Sequence, residues 1–173
     1  MKLTRKEKKA KRSLAIQGKR VQSLEDFMVS HVDPVICPSE FFFTDNKEKG
    51  LNIACKSFFV PKGTVVTGVI YKIEVFWVMV LGKMRIIEGD HERDIEAPQL
   101  LKNLPDIKNG GYAYEDCLFY GFTPNPQNSR DLEEIINIFS KTPANEVQGF
   151  SGNKQMKNYQ ARLSNESNIQ IPQ

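Results

Sequence analysis

Residues 63–82 read GTVVTGVIYKIEVFWVMVLG, which begins with Gly-Thr and ends with Leu-Gly. β-Branched and aromatic residues dominate this stretch, and these residue types favour strands. Further β-rich segments follow as far as residue 122, separated by Gly, Pro, Asp and Asn. Short strands with regularly spaced turn residues are typical of an all-β sandwich or barrel. The sequence therefore predicts a mainly β domain in which VFWVMVL at 75–81 is a strand.

The two faces of this strand are both apolar. Alternate residues of a strand face the same side, so one face carries Tyr71, Ile73, Val75, Trp77, Met79 and Leu81. The opposite face carries Phe76, Val78 and Val80. A strand that is apolar on both faces is buried on both. We expect the first face to form a packed barrel interior, and the second to be covered by another sheet, by a helix at 131–140 or by a second subunit.

The spacing within residues 63–82 resembles the first motif of the cupin families. That motif is Gly, five residues, His-x-His, three or four residues, Glu, six residues, Gly. When it starts at Gly63, its histidines fall at Val69 and Tyr71 and its glutamate falls at Val75. A Zn, Fe or Mn site requires three or four converging N, S or O ligands. We therefore expect no metal, no other cofactor and no enzymatic activity.

Four further segments resemble the second half of small cupin-like proteins of bacteriophages. They are IEAP at 95–98, LPDIK at 104–108, YAYED at 112–116 and DLEEI at 131–135. The resemblance covers about residues 57–140. It implies a cupin-like jelly roll, or double-stranded β-barrel, and a bacteriophage origin. The chain departs from these proteins at their metal-binding histidines, which are Tyr71 and Val75 here.

The N-terminus is basic, whereas the rest of the chain is mildly acidic. Residues 1–20 carry nine Lys or Arg and one acid, and the other 153 residues sum to a charge of −5. We assign to this arm Lys6, Lys8, Lys9, Lys11, Arg12, Lys19 and Arg20. Such an arm binds nucleic acid or an acidic protein surface, or it is a solvated tail. Helix-favouring residues predict a helical arm that packs through Leu24, Phe27 and Met28 and frays before Gly18.

The C-terminal third contains one helix pattern. Leu132, Ile135, Ile136 and Phe139 have the i, i+3, i+4, i+7 spacing of a helix lying on a core. Asn128 or Ser129 is the expected N-cap. We divide the chain into a basic helical arm at 1–29, a linker with short strands at 30–56, a cupin-like β-barrel at 57–128, a packing helix at 129–141 and an extended tail at 142–173.

The cysteine spacing and the hydropathy of the chain limit where the protein is expected to be located. The three cysteines, at 37, 55 and 117, are far apart and form no CxxC pair, so a disulfide framework or structural zinc is not expected. The longest apolar run, VFWVMVL, is too short to cross a bilayer. We therefore expect no membrane association, and the resemblance to bacteriophage proteins implies a location in a virion or in the host cytoplasm.

Three functional hypotheses follow from these observations. The first is a non-enzymatic structural or assembly component of a virion, acting as a homo-oligomer or with other virion proteins, with Phe76, Val78 and Val80 as the partner face. The second is an intracellular protein that binds a nucleotide-like small molecule at the barrel mouth. Its candidate ligand contacts are Tyr71, Trp77, Lys83, Arg85, Tyr112 and Tyr114. The third is an accessory nucleic-acid-binding protein that uses the basic arm.

Overall fold

The computed structural model describes residues 4, 19–48, 50–88 and 91–147. Nine strands form two antiparallel sheets, one with the order β1-β2-β9-β4-β7 and one with the order β3-β8-β5-β6. Their bounds are β1 Ser39–Phe43, β2 Ile53–Val60, β3 Val65–Thr67, β4 Val75–Leu81, β5 Lys83–Glu88, β6 His91–Glu96, β7 Gln99–Asn103, β8 Gly110–Ala113 and β9 Cys117–Pro124. The predicted mainly β fold class, with a helix towards each end, is confirmed.

The first two strands belong to the larger sheet. Residues 30–56 were predicted to form a linker with short strands, but β2 lies between β1 and β9 and pairs with both. The predicted boundary at residue 57 therefore falls inside β2. Lys56 and Ser57, on either side of that boundary, lie within one eight-residue ladder with β9.

Strand β6 has a highly charged sequence. Its residues His91–Glu96, HERDIE, pair with β5 along their whole length. This strand is at the edge of the smaller sheet, where charged side chains are accommodated and discourage pairing with other chains. Ile95 alone among its residues is buried.

Two apolar clusters stabilise the domain. The cluster between the sheets contains Val60, Met79, Met84, Ile86, Ile95, Leu101, Ala113, Cys117 and Phe119. The second lies beneath the C-terminal helix and contains Ala54, Tyr71, Val75, Ile135, Ile136, Phe139, Ala144 and Val147. Trp77 packs against both clusters, so this side chain links the barrel to the helix.

The C-terminal helix, α2, spans Leu132–Phe139 and buries Ile135, Ile136 and Phe139, which confirms the predicted apolar stripe. Its N-cap is Asp131 rather than Asn128 or Ser129. The Asp131 carboxylate accepts a hydrogen bond from the backbone N–H of Glu133 at 2.8 Å. The cap lies later than predicted because Ser129 bonds through its backbone N–H to the Asn125 side chain, within the preceding turn.

An N-terminal helix, α1, covers residues 19–31 and packs on the smaller sheet through Val21 and Glu25. Val21 is buried and Glu25 and Met28 are half-buried, and these three residues have i, i+4, i+7 spacing. The prediction that Leu24 and Phe27 pack is wrong, since both are exposed. Leu24 and Phe27 lie about 60° and about 120° round the helix from Val21, on the side away from Glu25.

Most of the predicted arm and tail lies outside the described residues. Among the arm residues, Lys19 and Arg20 are described, and both are exposed. Lys6, Lys8, Lys9, Lys11 and Arg12 lie outside, as does the predicted tail from residue 148 onwards. Within the described part of the chain, no helix is long and apolar enough to span a bilayer.

Candidate functional site: a cavity between the sheets

A cavity of about 170 Å³ lies between the two sheets. The prediction of a fully packed interior is therefore wrong. Most of the lining is apolar and includes Val60, Val66, Met84, Ile86, Leu101 and Phe119. Gly68, Gly110 and Gly111 also line it. A Cβ atom at Gly111 would lie 2.5 Å from Cε of Met84, so the glycine there accommodates the Met84 side chain.

The positions where the cupin motif places metal ligands do not fit a metal. Val69 and Tyr71 lie in the cavity wall, and Val75 is buried in the cluster beneath α2. Valine has no donor atom, and one neutral phenol is not a zinc or iron ligand set. His31 stacks on Phe27 in α1. Among the residues that the structure describes, no group of three His, Cys, Asp or Glu side chains could hold a metal ion.

Polar side chains form a hydrogen-bonded line along one wall. The Trp77 indole Nε1 donates to the Tyr71 phenol oxygen at 3.0 Å, and Tyr71 also bonds to Asn103. The Asn109 amide nitrogen donates to the Asn103 side-chain oxygen at 3.1 Å. Burial raises the pKa of Tyr71 to about 12, although the bonds to Trp77 and Asn103 oppose the shift. The phenol is therefore neutral at physiological pH.

The last side chain in this row of hydrogen bonds is Asn109. The side-chain oxygen of Asn109 is buried and has no hydrogen-bond partner among the described residues. A buried carbonyl oxygen without a donor costs roughly 1–3 kcal/mol. Since Asn109 lines the cavity, a hydroxyl or N–H group of a molecule inside the cavity would donate a hydrogen bond to this oxygen.

A lysine also lines the cavity. Lys56 projects from β2, with its Nζ 5.0 Å from the ring centroid of Phe58 and 5.8 Å from that of Phe41. Burial lowers the pKa of Lys56 to about 8, and the electrostatic influence of Cys37 opposes the shift. The amine remains mostly charged at pH 7. Burial in turn raises the pKa of the Cys37 thiol, so that group is neutral.

A glycine in β9 makes room for the tryptophan. Gly121 pairs with Lys56 on one side and with Trp77 on the other, so the three form one row across the sheet. A Cβ atom at Gly121 would lie 2.5 Å from Cε2 of the Trp77 ring. Trp77 therefore lies against the Gly121 backbone.

Four of the six candidate ligand contacts do not reach the cavity. Tyr71 and Trp77 lie in its wall, whereas Lys83, Arg85, Tyr112 and Tyr114 are absent from its lining. On β5, Met84 and Ile86 are buried between the sheets, and strand alternation therefore turns Lys83 and Arg85 outwards. Arg85 instead forms an ion pair with Asp94 at 2.8 Å, and the Tyr114 hydroxyl donates to the same carboxylate at 3.2 Å.

Among the polar cavity residues, Lys56, Asn103 and Asn109 were not predicted from the sequence. If the segment IACKSFFV is taken as one strand, alternation places Lys56 and Phe58 on the same face. Asn109 directly precedes β8, which begins at Gly110, and a single polar residue before a strand gives no sign of a cavity. No local pattern distinguishes Asn103, because its role depends on contacts with Tyr71 and Asn109 from other segments.

The other side of the larger sheet carries an exposed apolar patch, which we call the outer face: Phe76, Val80, Leu100 and Phe122. Phe76 pairs with Phe122 across the ladder. No other element of the described chain covers these residues, and α2 packs on the inner cluster instead. Leu81, predicted to point inwards, is also exposed, because the β4–β9 register shifts between Met79 and Leu81.

Solved structures with a similar fold include several cupin proteins. The cupin 2 domain-containing protein from Halorhodospira halophila is 10% identical with a TM-score of 0.45, over 80% of this chain and 86% of that one. The Cupin 2 conserved barrel domain protein from Salinispora arenicola is 9% identical with a TM-score of 0.42, over 73% and 84%. A cupin superfamily protein from Desulfitobacterium hafniense is 11% identical with a TM-score of 0.40, over 56% and 86%.

These similarities extend to the fold alone. Each TM-score is below 0.5, and no ligand, activity or partner follows from them. They do not point to a bacteriophage origin, which stays a prediction. No protein-family model matches the sequence, and no curated protein matches it significantly.

Proposed function

We propose that this protein binds a small, mainly apolar molecule in the cavity between its sheets. The observation that carries the proposal is the mainly apolar cavity of about 170 Å³ in whose wall the Asn109 side-chain oxygen has no hydrogen-bond partner among the described residues. An apolar space of about 150 Å³ accommodates benzene. The expected ligand is therefore a molecule with one ring, or of similar size, that carries a hydrogen-bond donor.

The cavity does not suit the nucleotide-like ligand considered from the sequence. Pockets for larger, drug-sized ligands are roughly 300–1,000 Å³ in volume. The two cations among the candidate ligand contacts, Lys83 and Arg85, are paired with acids on the outside of the smaller sheet. A one-ring ligand fits the cavity volume better.

A ligand that fills the cavity and donates to the Asn109 oxygen would gain apolar contacts and give that buried acceptor a partner. Ligand binding to the folded state alone raises the free energy of unfolding by mass action.

Fluorescence and thermal unfolding test the proposal together. Trp77 is the single tryptophan of the chain and lines the cavity, so its emission reports directly on occupancy. We expect phenol, indole and benzyl alcohol to change this emission saturably and to raise Tm. A chain that responds to none of the three would contradict the proposal.

Neighbouring valines in β3 provide a matched pair of variants for the same test. Val66 lines the cavity, whereas Val65 is exposed. Val66→Phe should fill the space and abolish the ligand response. Val65→Phe should leave it intact. An unchanged response in Val66→Phe would place ligand binding elsewhere.

We propose, second, that the outer face mediates association between protein chains. The support is the cluster of Phe76, Val80, Leu100 and Phe122, each between 43% and 59% exposed, since contiguous exposed apolar patches mark interaction sites. A second copy of this chain is the proposed partner. A structural or assembly role in a virion would use the same surface and stays a prediction.

The remaining hypotheses also stay predictions. Nucleic-acid binding by the basic arm depends mainly on residues outside the described ranges. If it occurs, its affinity should fall steeply with salt concentration. The absence of enzymatic activity is likewise untested.

A further inference from the structure

We propose that helix α1 positions the part of the cavity wall that carries Asn109, so that docking of α1 on the barrel and binding of a ligand stabilise each other. This inference rests on the proposed small-molecule function and adds a means of regulating the same site. Glu25 of α1 is the positioning residue. It does not itself line the cavity and acts through Lys108, the residue that precedes Asn109 in the chain.

Contacts of α1 with the barrel lie on two short segments of the cavity wall. The Glu25 carboxylate accepts a hydrogen bond from Lys108 Nζ at 2.8 Å and another from the Thr67 hydroxyl. The Val21 side chain packs on Gly110, where an added Cβ atom would lie 3.3 Å from Cγ1 of the valine. Thr67 and Gly110 line the cavity and pair with each other between β3 and β8. Helix α1 therefore lies directly behind this wall.

Asn109 is held between these contacts. Its backbone carbonyl accepts a hydrogen bond from the Gly68 N–H at 2.8 Å, and its side-chain nitrogen donates to Asn103. Of its two neighbours in the chain, Lys108 bonds to α1 and Gly110 packs against it. The direction of the unsatisfied Asn109 oxygen therefore depends on segments that α1 holds in place.

The ion pair favours the docked position of α1. Only 4% of the Lys108 side chain and 26% of the Glu25 side chain are exposed. Breaking such a pair is strongly unfavourable when one charge stays buried. The Thr67 hydroxyl would lose the same acceptor. Undocking of α1 would release the segments on both sides of Asn109, and the cavity would then bind a hydrogen-bond donor less tightly.

Hydrogen exchange of the wild-type protein tests this coupling without any variant. Coupling between two equilibria is reciprocal, so a ligand that binds better when α1 is docked must also favour the docked helix. We expect saturating phenol to slow exchange of the amides in residues 19–31 about five- to tenfold. Toluene has a similar size but no donor and should slow it by less than about twofold. The control is β6, an edge strand whose residues do not line the cavity, and its exchange should not change.

Variants of Glu25 test the same coupling through ligand selectivity. Glu25→Ala should weaken phenol binding about tenfold and toluene binding by about twofold or less, as measured by calorimetric titration. A purely structural defect would weaken both ligands equally. Glu25→Gln keeps an oxygen that can accept from Lys108 and should retain part of the selectivity. Asp26→Ala, at an exposed neighbouring position, should leave it unchanged, and circular dichroism should show that each variant is folded.

The outcomes separate this inference from the function on which it rests. If phenol binds but changes exchange in α1 and in β6 equally, or not at all, the coupling is overturned and small-molecule binding stands. An unchanged ratio of phenol to toluene affinity in Glu25→Ala would also overturn the coupling. Failure of both probes to bind the wild type would overturn both. If Glu25→Ala does not fold, the exchange measurement on the wild type decides.

Discussion

The indole N–H of Trp77 donates a hydrogen bond to the phenol oxygen of Tyr71 at 3.0 Å in the wall of the cavity. Both side chains are on the inner side of the barrel, and Tyr71 is also stacked on Phe139 of α2, with ring centroids 5.9 Å apart. The bond thus joins strand β4 to the segment on which the C-terminal helix packs. It also holds the indole in place against Gly121.

This bond should be measurable as a coupling energy. A double-mutant cycle of Trp77→Phe and Tyr71→Phe should give a coupling of about 1 kcal/mol in the free energy of unfolding, since a neutral hydrogen bond contributes about that much. Denaturant titration of the four proteins provides the measurement. Additive effects of the two substitutions would show that the bond contributes nothing to stability.

Gly121→Ala should displace the Trp77 ring. The new methyl group would lie 2.5 Å from the ring, and overpacking of this kind costs about 1–3 kcal/mol. We expect a lower Tm and a shifted tryptophan emission maximum. Gly68→Ala is the control, because Gly68 also lines the cavity but its Cβ would make an ordinary contact of 3.5 Å. Equal effects of the two substitutions would refute this account of Gly121.

Glu25→Ala should loosen α1 from the barrel. Glu25 forms an ion pair with Lys108 at 2.8 Å, and the Lys108 side chain is only 4% exposed. The Thr67 hydroxyl donates to the same carboxylate. Removing one partner leaves the lysine charge buried and unpaired, which should cost about 2 kcal/mol. Hydrogen exchange should show faster exchange of amides in residues 19–31.

The neighbouring acid provides the control for that helix. Asp26 is exposed and accepts a bond from Gln22 within α1. Asp26→Ala should change the free energy of unfolding by about 0.5 kcal/mol or less. If the two substitutions behave alike, the buried ion pair does not hold α1 in place.

Lys56→Met should stabilise the protein near neutral pH. The pKa of Lys56 in the folded state is about 8, below its ordinary value of 10.5, because burial disfavours the charge. Below pH 8 both states are protonated and the folded state bears the full desolvation cost. Between pH 8 and 10.5 the unfolded state binds more protons, so wild-type stability rises with pH.

The variant should therefore exceed the wild type by about 2 kcal/mol at pH 7. Its advantage should shrink as the pH approaches 10.5. Urea unfolding at several pH values would measure this difference. A variant that is less stable than the wild type at pH 7 would mean that contacts of Lys56, including those with Phe41 and Phe58, outweigh its desolvation.

Phe76→Lys should prevent association through the outer face. Light scattering of the full chain should give a mass above that of one 19.8 kDa chain for the wild type and a monomer mass for the variant. The exposed residue Leu104 lies outside this patch, so Leu104→Lys should keep the wild-type mass. A monomeric wild type would contradict the proposal that the outer face joins two copies.

Local sequence patterns predicted the fold class and which face of strand β4 and helix α2 is buried. Alternation along VFWVMVL separated the buried Val75 and Met79 from the exposed Phe76 and Val80. The spacing of Ile135, Ile136 and Phe139 identified the face of α2 that packs on the core. These features follow from strand and helix periodicity, which depends on the backbone alone.

The cavity and its chemistry were decided by tertiary structure. Lys56, Gly121 and Trp77 come from three strands, and only the register of the larger sheet sets them in one row. The unsatisfied oxygen of Asn109 and the pKa of Lys56 arise from burial by distant segments. The sequence pattern predicts which face of a strand or helix a residue occupies. The residues that surround it, its exposure to solvent and the cavity beside it depend on how the strands pair and pack.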